Sequence, residues 1–346
     1  MFSISDKSIS IENEPYIIAE LSANHNGEIE KAFAIIKSAK NNGAHAIKFQ
    51  AYTPNSMTIK CKKKDFQISE GPWKGNDLFG LYEQAGTPLA WQKDLFNYAR
   101  DIGITCFSTP FDEPGVDLLY ELDTPAYKIA SFEMTDHGLL EKIGQTNKPV
   151  LMSTGLSSME EIEESVDVLR SAGNDQLLIF HCISAYPAPI EQSHLTMIPM
   201  LREKFNVEVG LSDHTLGTTA AVAGIALGAT AIEKHFTLKR ADGGPDSHFS
   251  LEPFELKELV EKTKDAWLAL GNNKFERSSI EEGNIVFRRS LYFVNDLKKG
   301  ETITKKSVKS IRPGYGIAPK YLNEIIGRKV SKTVTVGDRV EWDCIA

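Results

Sequence analysis

The chain has 346 residues and a formal net charge of −8 at pH 7. This length predicts one large domain plus a small one, or two domains of similar size. The acidic balance argues against nucleic acid as a partner. No apolar run reaches the roughly 20 residues that a membrane-spanning helix needs. Residues 1–15 are polar and lack the apolar core of a signal peptide, so we expect a cytoplasmic protein.

Eight short runs rich in β-branched residues alternate with longer amphipathic segments. We predict strands at 16–21, 46–50, 104–109, 127–131, 150–154, 177–182, 207–212 and 231–236, with helices between them, for example at 28–42, 159–172 and 255–270. Eight strand–helix units over about 250 residues predict a (β/α)₈ TIM barrel, an α/β fold. A doubly wound open sheet is the alternative, but it usually has fewer strands and a glycine-rich first turn.

Two segments depart from this repeat. Residues 53–91 are too long for an ordinary connection between strand and helix. They carry a basic stretch at 60–64 and the aromatic residues Trp73, Phe79, Tyr82 and Trp91, and we predict an insertion over the mouth of the barrel. After Gly271 the pattern changes to short strands with glycine turns. We therefore assign a barrel at 1–271, a polar linker at 272–286 and a small β-rich domain at 287–346.

The four cysteines form no CxxC pair and predict neither structural zinc nor a disulfide framework.

Polar residues occur at the end of every predicted strand, where the catalytic groups of a barrel lie. They are Glu20; Lys48 and Gln50; Ser108 and Thr109; Lys128 and Ser131; Ser153 and Thr154; His181 and Ser184; Ser212, Asp213 and His214; and Glu233, Lys234 and His235. A single polar end is commonly a solvated strand terminus. Eight together predict a functional mouth.

The residue types at these ends indicate an anion site with an adjacent cation. Lys48 and Lys128 supply charge and the serines supply hydroxyl donors, which suits a carboxylate or a phosphate, although a serine here can also cap a helix. His214 and His235 end neighbouring strands and can hold one divalent cation. Glu20 and Glu133 are candidates for proton transfer or for binding sugar hydroxyls.

At these residues the sequence resembles the sialic acid synthase family, over essentially the whole chain. The shared motifs are ELSANHNG at 20–27, KFQ at 48–50, FSTPFD at 107–112, YKIASF at 127–132, STG at 153–155, GLSDH at 210–214 and EKHF at 233–236. The last domain, with IRPG at 311–314, resembles the antifreeze-like (SAF) domain that ends these enzymes. The combination is highly specific.

The resemblance implies a metal-assisted aldol-type condensation of phosphoenolpyruvate with the aldehyde of an open-chain amino sugar. It implies Mn²⁺ or Mg²⁺ bound by His214 and His235, with Glu20 and Glu133 as further catalytic residues. The implied phosphoenolpyruvate contacts are Lys48, Thr109, Lys128, Ser131, Ser153, Ser184 and Ser212. The implied sugar contacts are Gln50, Tyr186, Asp246 and Arg312. Arg312 would reach the barrel of a second subunit in a domain-swapped homodimer.

The acceptor sugar and the reaction class each have alternatives. LYEQAGTP at 81–88 and DSHFSL at 246–251 resemble the branch that uses a 2,4-diacetamido-2,4,6-trideoxy hexose. GPD at 244–246 resembles the branches that use N-acetylmannosamine or a diacetamido sugar of mannose type. A metal-free aldolase with a Schiff base on Lys128 or Lys234 is a second hypothesis. An ice- or glycan-binding protein is a third, which the polar mouth disfavours.

Overall fold

Eight parallel strands close into a barrel in the first part of the chain. The computed structural model describes residues 2–71, 73–271, 276 and 278–346. The chain divides into two compact units, Met1–Gly271 and Asn272–Ala346. No helix among the described residues is both long and apolar enough to cross a membrane.

The barrel alternates strands with helices in chain order, and the TIM-barrel prediction is confirmed. Its strands are β3 (Tyr16–Glu20), β4 (Ala46–Ala51), β5 (Thr105–Pro110), β6 (Tyr127–Ile129), β7 (Val150–Ser153), β8 (Leu177–Cys182), β9 (Glu208–Ser212) and β10 (Ala231–His235). Each pairs with its neighbours in sequence, and β10 closes on β3. The helices of the first unit are α1 (Ile29–Asn41), α2 (Pro54–Met57), α3 (Leu78–Ala85), α4 (Gln92–Ile102), α5 (Glu113–Glu121), α6 (His137–Gly144), α7 (Met159–Ser171), α8 (Met197–Phe205), α9 (Thr219–Ala226) and α10 (Pro253–Leu270). Each predicted strand boundary lies within two residues of the observed one.

Alternation along the strands separates the outer core from the barrel interior, because successive side chains point to opposite faces. On β4, Ile47 and Phe49 belong to the apolar layer packed against the helices. Ala46 faces inward and packs near the amino ends of the strands. Lys48 and Gln50 also face inward and line a cavity at the carboxyl ends. The same strand therefore supplies core on one face and polar chemistry on the other.

A hairpin that the sequence analysis does not predict closes the amino-terminal end of the barrel. Strands β1 (Phe2–Ile4) and β2 (Lys7–Ile9) pair antiparallel. Phe2, Ile4 and Ile9 pack with inward-facing strand residues such as Phe180 in one buried cluster. The segment reads as polar by composition, but its apolar residues alternate. The hairpin therefore fills the end of the barrel opposite to the cavity, whose lining residues lie at the carboxyl ends of the strands.

The second unit is small and built mainly from short strands and turns. Strands β11 (Ser290–Phe293) and β12 (Val308–Ile311) pair antiparallel, and α11 (Leu322–Ile325) is its short α-helix. Leu291, Phe293 and Ile325 lie in its buried core. Of the predicted linker 272–286, residues 272–275 and 277 lie outside the described residues. Ser279–Phe287 forms consecutive 3₁₀ turns in the second unit.

Candidate active site

A cavity of about 380 Å³ lies at the carboxyl ends of the barrel strands. Sites for small molecules are typically about 300–1,000 Å³ in volume. The predicted site residues that line it are Glu20, Lys48, Gln50, Lys128, Ser131, Glu133, Ser153, Tyr186, Ser212, His214, His235 and Asp246. The insertion at 53–91 adds further lining residues, among them Trp73 and Tyr82, as predicted for a segment over the mouth.

Two buried lysines and two buried glutamates form the charged centre of the cavity. The ammonium nitrogen of Lys48 lies 2.8 Å from Glu20 Oε2 and 3.5 Å from Glu233 Oε1. The ammonium nitrogen of Lys128 lies 3.9 Å from that same Glu233 oxygen and donates a 2.6 Å hydrogen bond to Ser153 Oγ. Glu233 is therefore placed between the two lysines, while its second carboxylate oxygen, Oε2, is buried and has no hydrogen-bond partner among the described residues.

The two carboxylates that touch Lys48 differ in acidity. Burial raises the pKa of Glu20 to about 7, although the Lys48 ammonium opposes the shift. Burial acts on Glu233 in the same direction, but Lys128 and Lys48 together outweigh it and hold the pKa of Glu233 below its ordinary value. Burial also lowers the pKa of Lys128. Near neutral pH the cluster thus keeps Glu233 ionised and leaves Glu20 able to exchange a proton.

Small residues on the loops after β6 and β7 leave room beside Lys128. The Gly155 backbone N–H donates a 3.0 Å hydrogen bond to Ser131 Oγ. A side chain at Gly155 would overlap Ser184 Oγ and come within 2.7 Å of Ser131 Oγ. Glycine is required here for close approach of the backbone to the two serines. Hydroxyl groups and a lysine thus converge at one side of the cavity, which is the donor chemistry that binds anions.

The two predicted metal-binding histidines face each other at the last two strands. The ring centres of His214 and His235 are 5.5 Å apart. His214 Nδ1 lies 3.0 Å from the Ile183 carbonyl oxygen and therefore donates to it, which leaves Nε2 as the ring nitrogen that can meet a ligand. His235 Nδ1 is buried without a hydrogen-bond partner among the described residues and lies 4.0 Å from Asp246 Oδ2. Burial and the neighbouring His214 lower the pKa of His235 well below its ordinary value.

Glu133 follows β6 and offers a second candidate for proton transfer. Burial raises the pKa of Glu133 to about 7, with Lys128 opposing the shift. Its Oε2 is buried and has no hydrogen-bond partner among the described residues. A carboxyl group with a pKa near the working pH can both accept and return a proton.

Three predicted site residues do not line the cavity. Thr109 Oγ1 lies 3.4 Å from the Lys48 ammonium, and Ser184 Oγ lies 3.8 Å from Cys182 Sγ, so both touch lining residues. Arg312 directly follows β12 in the second unit and is exposed, with its guanidinium carbon 6.0 Å from the centre of the Phe287 ring.

Several lining residues have no role predicted from the sequence, including Ser22, Tyr52, Cys182 and Glu233. Glu233 could have been assigned, because it alternates with His235 along β10 and must face the same way. Ser22 donates a hydrogen bond to Asp246 Oδ2, a contact between positions 224 residues apart. No local pattern predicts that contact.

Lys234 does not line the cavity, as its alternation with Glu233 and His235 predicts. Its ammonium donates to Asp213 Oδ2 at 2.9 Å and to the Thr215 carbonyl oxygen at 2.6 Å. The other Asp213 oxygen accepts from the Thr215 N–H and hydroxyl, both at 2.8 Å. The ion pair is complete within the protein, which argues against Lys234 as a nucleophile.

Known proteins are similar to this chain over most of its length. The NeuB family matches residues 35–275, and the SAF domain matches residues 288–346. A pseudaminic acid synthase of Campylobacter jejuni is 45% identical over 94% of this chain and 95% of that protein. An N,N'-diacetyllegionaminic acid synthase of the same species is 37% identical over 91% and 96%. The crystal structure of an N-acetylneuraminic acid synthetase of Leptospira borgpetersenii, in complex with citrate, is 31% identical with a TM-score of 0.74, covering 83% of this chain and 95% of that one.

The fold and the site define a class: a (β/α)₈ barrel with a charged, ligand-sized mouth, followed by a SAF domain. Within that class the chain belongs to the NeuB family. The resemblance to sialic acid synthases seen in the strand-end motifs is thereby confirmed.

Proposed function

We propose that this chain is a pseudaminic acid synthase. It condenses phosphoenolpyruvate with 2,4-diacetamido-2,4,6-trideoxy-β-L-altropyranose and gives pseudaminic acid and phosphate. One observation supports this reaction class most directly: two buried lysines and two imidazoles line the same cavity. The higher identity to the pseudaminic acid synthase, 45% against 37% for the legionaminic acid synthase, supports the choice of sugar.

Phosphoenolpyruvate occupies the lysine side of the cavity in this proposal. Its carboxylate and phosphate are anions, and charge-assisted hydrogen bonds from lysine are stronger than neutral ones. Lys48, Lys128, Ser131, Ser153 and Ser212 supply the donors from the wall, while Thr109 and Ser184 support them from behind.

The residues beside His235 fit a divalent metal ion. Nitrogen and oxygen donors meet at one place: His235 Nδ1, which has no hydrogen-bond partner among the described residues, the second ring nitrogen of His214, and the Asp246 carboxylate 4.0 Å from His235. A set that mixes imidazole and carboxylate suits a divalent transition metal such as Mn²⁺ better than Mg²⁺, which prefers oxygen ligands. A cation held there supplies Lewis-acid polarisation of a carbonyl oxygen. Another group of potential ligands, the exposed Glu341 and Asp343 with the buried Cys344, lies in the second unit and is not among the lining residues of this cavity.

The reaction needs the protein to orient two substrates and to move protons. C3 of phosphoenolpyruvate forms a bond to the aldehyde carbon, and the aldehyde oxygen takes up a proton. Water then adds at C2 and gives a proton to Glu133, whose pKa of about 7 suits that role. The C–O bond to phosphate then breaks as the C2 hydroxyl becomes a ketone, its proton leaves with phosphate, and a sugar hydroxyl adds to the ketone to close the ring. Gln50, Tyr186 and Asp246 hold the sugar, with Glu20 exchanging protons beside Lys48.

A homodimer completes the mouth in this proposal. Four large apolar side chains on the loops after β6, β7, β8 and β9 are exposed, namely Phe132, Leu156, Ile190 and Leu216. A second subunit would bury them. Arg312, exposed beside Phe287, is the cation that the partner contributes to the sugar.

We place the enzyme in the cytoplasm, where phosphoenolpyruvate is made. The domain bounds 1–271, 272–286 and 287–346 stay a prediction.

The direct test incubates the enzyme with phosphoenolpyruvate, Mn²⁺ and a panel of amino sugars, and identifies products by mass spectrometry. We expect one molecule of phosphate per sugar acid and the fastest turnover with the trideoxy diacetamido sugar. Equal or faster turnover of N-acetylmannosamine would replace the pseudaminic assignment with a neuraminic one.

A Schiff-base aldolase at Lys128 is the second candidate. Its lowered pKa and its place in the cavity favour a nucleophilic amine. Borohydride added during turnover should trap substrate on Lys128 if this candidate is right. Loss of activity in chelator without trapping supports the synthase.

A further inference from the structure

The cavity has an apolar wall as well as a charged one. The charged wall comes from the strand ends, and the apolar wall comes from the insertion at 53–91. We call this second wall the roof, defined by the lining side chains Met57, Ile68, Leu78, Leu81, Tyr82 and Ala85. None of the charged side chains that the structure describes in the insertion lines the cavity, although the segment carries several. The insertion as a whole is therefore not apolar in composition, but it folds so that its uncharged side chains face the cavity.

Helix α3 provides most of the roof with a single face. Leu78, Leu81, Tyr82 and Ala85 stand at positions i, i+3, i+4 and i+7, which share one side of an α-helix. Phe79, the next position, does not line the cavity and instead lies 5.4 Å from the Lys60 ammonium. An apolar helix stripe normally packs on protein core. Here part of the stripe faces a cavity, where a bound ligand can cover it.

Trp73 fixes the roof next to the reacting groups. Its indole N–H donates a 3.1 Å hydrogen bond to the carbonyl oxygen of Pro245, the residue before Asp246. Its ring centre is 5.6 Å from that of Tyr186, which in turn lies 4.4 Å from that of His214. These rings form a path from the imidazole pair to the insertion, along which the other carbons of a sugar can lie when its aldehyde is at the imidazoles.

We infer that the roof selects the acceptor sugar by its substituents at C4 to C6, a role that rests on the proposed function. It accepts methyl groups, those of an acetamido group at C4 and of a deoxygenated C6, and it rejects hydroxyl groups. A hydroxyl against the aliphatic side chains of this wall, such as Met57, Leu78 and Leu81, loses water and gains no hydrogen bond. Discrimination of this kind amounts to about 10–200-fold in kcat/KM.

The test compares two neighbouring positions on α3. Leu78→Gln places an amide on the cavity face, and Phe79→Gln makes the same kind of change one residue away, off the cavity. kcat/KM is measured for the trideoxy diacetamido sugar and for N-acetylmannosamine at saturating phosphoenolpyruvate and metal. We expect Leu78→Gln to lower the ratio of the two values about 10-fold, with the KM for phosphoenolpyruvate unchanged. Phe79→Gln should keep the wild-type ratio.

Each result has one meaning. An unchanged ratio in Leu78→Gln, or an equal change in Phe79→Gln, overturns the role of the roof. A wild-type enzyme that prefers N-acetylmannosamine overturns the proposed function instead, and it is measured first for that reason. If Leu78→Gln does not fold, Met57→Gln makes the same comparison, with Ile59→Gln as control, because Ile59 is 61% exposed and outside the cavity.

Discussion

Two buried lysine clusters lie side by side on the barrel and differ in one respect. Lys234 and Asp213 satisfy each other and the Thr215 backbone, so every strong bond of that pair stays inside the protein. Lys48 and Lys128 flank Glu233, whose second oxygen has no partner among the described residues. Burying charge is costly unless it is paired and hydrogen-bonded. A complete cluster indicates a structural role, and an incomplete one in a cavity indicates a place for a ligand.

The largest expected effect is a loss of stability when the lysine of the complete cluster, Lys234, is replaced. Lys234→Met leaves the Asp213 carboxylate buried without its counter-ion, and we expect a loss of about 3–5 kcal/mol in the free energy of unfolding. Activity per folded molecule should change little, since Lys234 does not line the cavity. Denaturant unfolding followed by circular dichroism measures the loss. Adding Asp213→Asn to Lys234→Met should recover part of it, because no unpaired charge is then buried.

Lys128→Met should behave in the opposite way. Glu233 keeps Lys48 at 3.5 Å, so stability falls less than in Lys234→Met. The substrate loses a charge-assisted donor, and kcat/KM for phosphoenolpyruvate should fall about 10²-fold. Equal stability losses in the two lysine variants would remove the distinction between a structural and a ligand-binding cluster.

The next effect concerns the imidazole pair. His214→Ala and His235→Ala should each lower kcat at least about 10²-fold with the fold intact, because Lewis-acid stabilisation is worth several kcal/mol. His248→Gln is the matched control, since His248 is exposed and does not line the cavity. Chelator should inactivate the wild type, and Mn²⁺ or Mg²⁺ should restore it. Full activity in excess chelator is the result that contradicts a metal site.

The charged cluster shows what sequence can and cannot predict. The barrel and most of the cavity follow from local rules, because strand alternation and strand ends place Lys48, Lys128 and His235 without knowledge of other elements. The apolar stripe of α3 is also local, but its direction toward the cavity is not, since a helix face alone does not say what it packs against. The Ser22–Asp246 contact depends on two distant loops meeting. Composition does not predict the N-terminal hairpin, because the segment is polar overall and its buried residues Phe2, Ile4 and Ile9 are few.

A smaller effect tests whether the site extends to a second subunit. Arg312→Ala lacks the cation, and His235→Ala lacks an intact barrel, so each alone should be weakly active. After subunit exchange, half of the dimers are mixed and each has one complete site. Activity should then recover to about a quarter of the wild-type value. No recovery, in a mixture shown by mass spectrometry to contain mixed dimers, contradicts the contribution of Arg312 in trans.

The smallest expected effect is the pH dependence set by Glu133, a carboxyl group that lines the same cavity as Lys48 and Lys128. Its folded-state pKa is about 7 against an ordinary 4.5, and burial is the main cause. If the ionised form accepts the proton from water, kcat should rise with pH up to about 7 and then level off. Glu133→Gln should abolish this rise of kcat with pH, whereas Glu20→Gln should retain it at lower activity.

The stability of the folded protein gives an independent check on the pKa of Glu133. A raised carboxyl pKa makes the folded state bind the proton more tightly, so wild-type stability falls as pH rises from 4.5 through 7. Glu133→Gln removes that penalty, and its Tm relative to wild type should increase between pH 5 and pH 8. A Tm difference that stays constant across this range means that the Glu133 pKa is not raised, and the assignment of Glu133 as proton acceptor then fails with it.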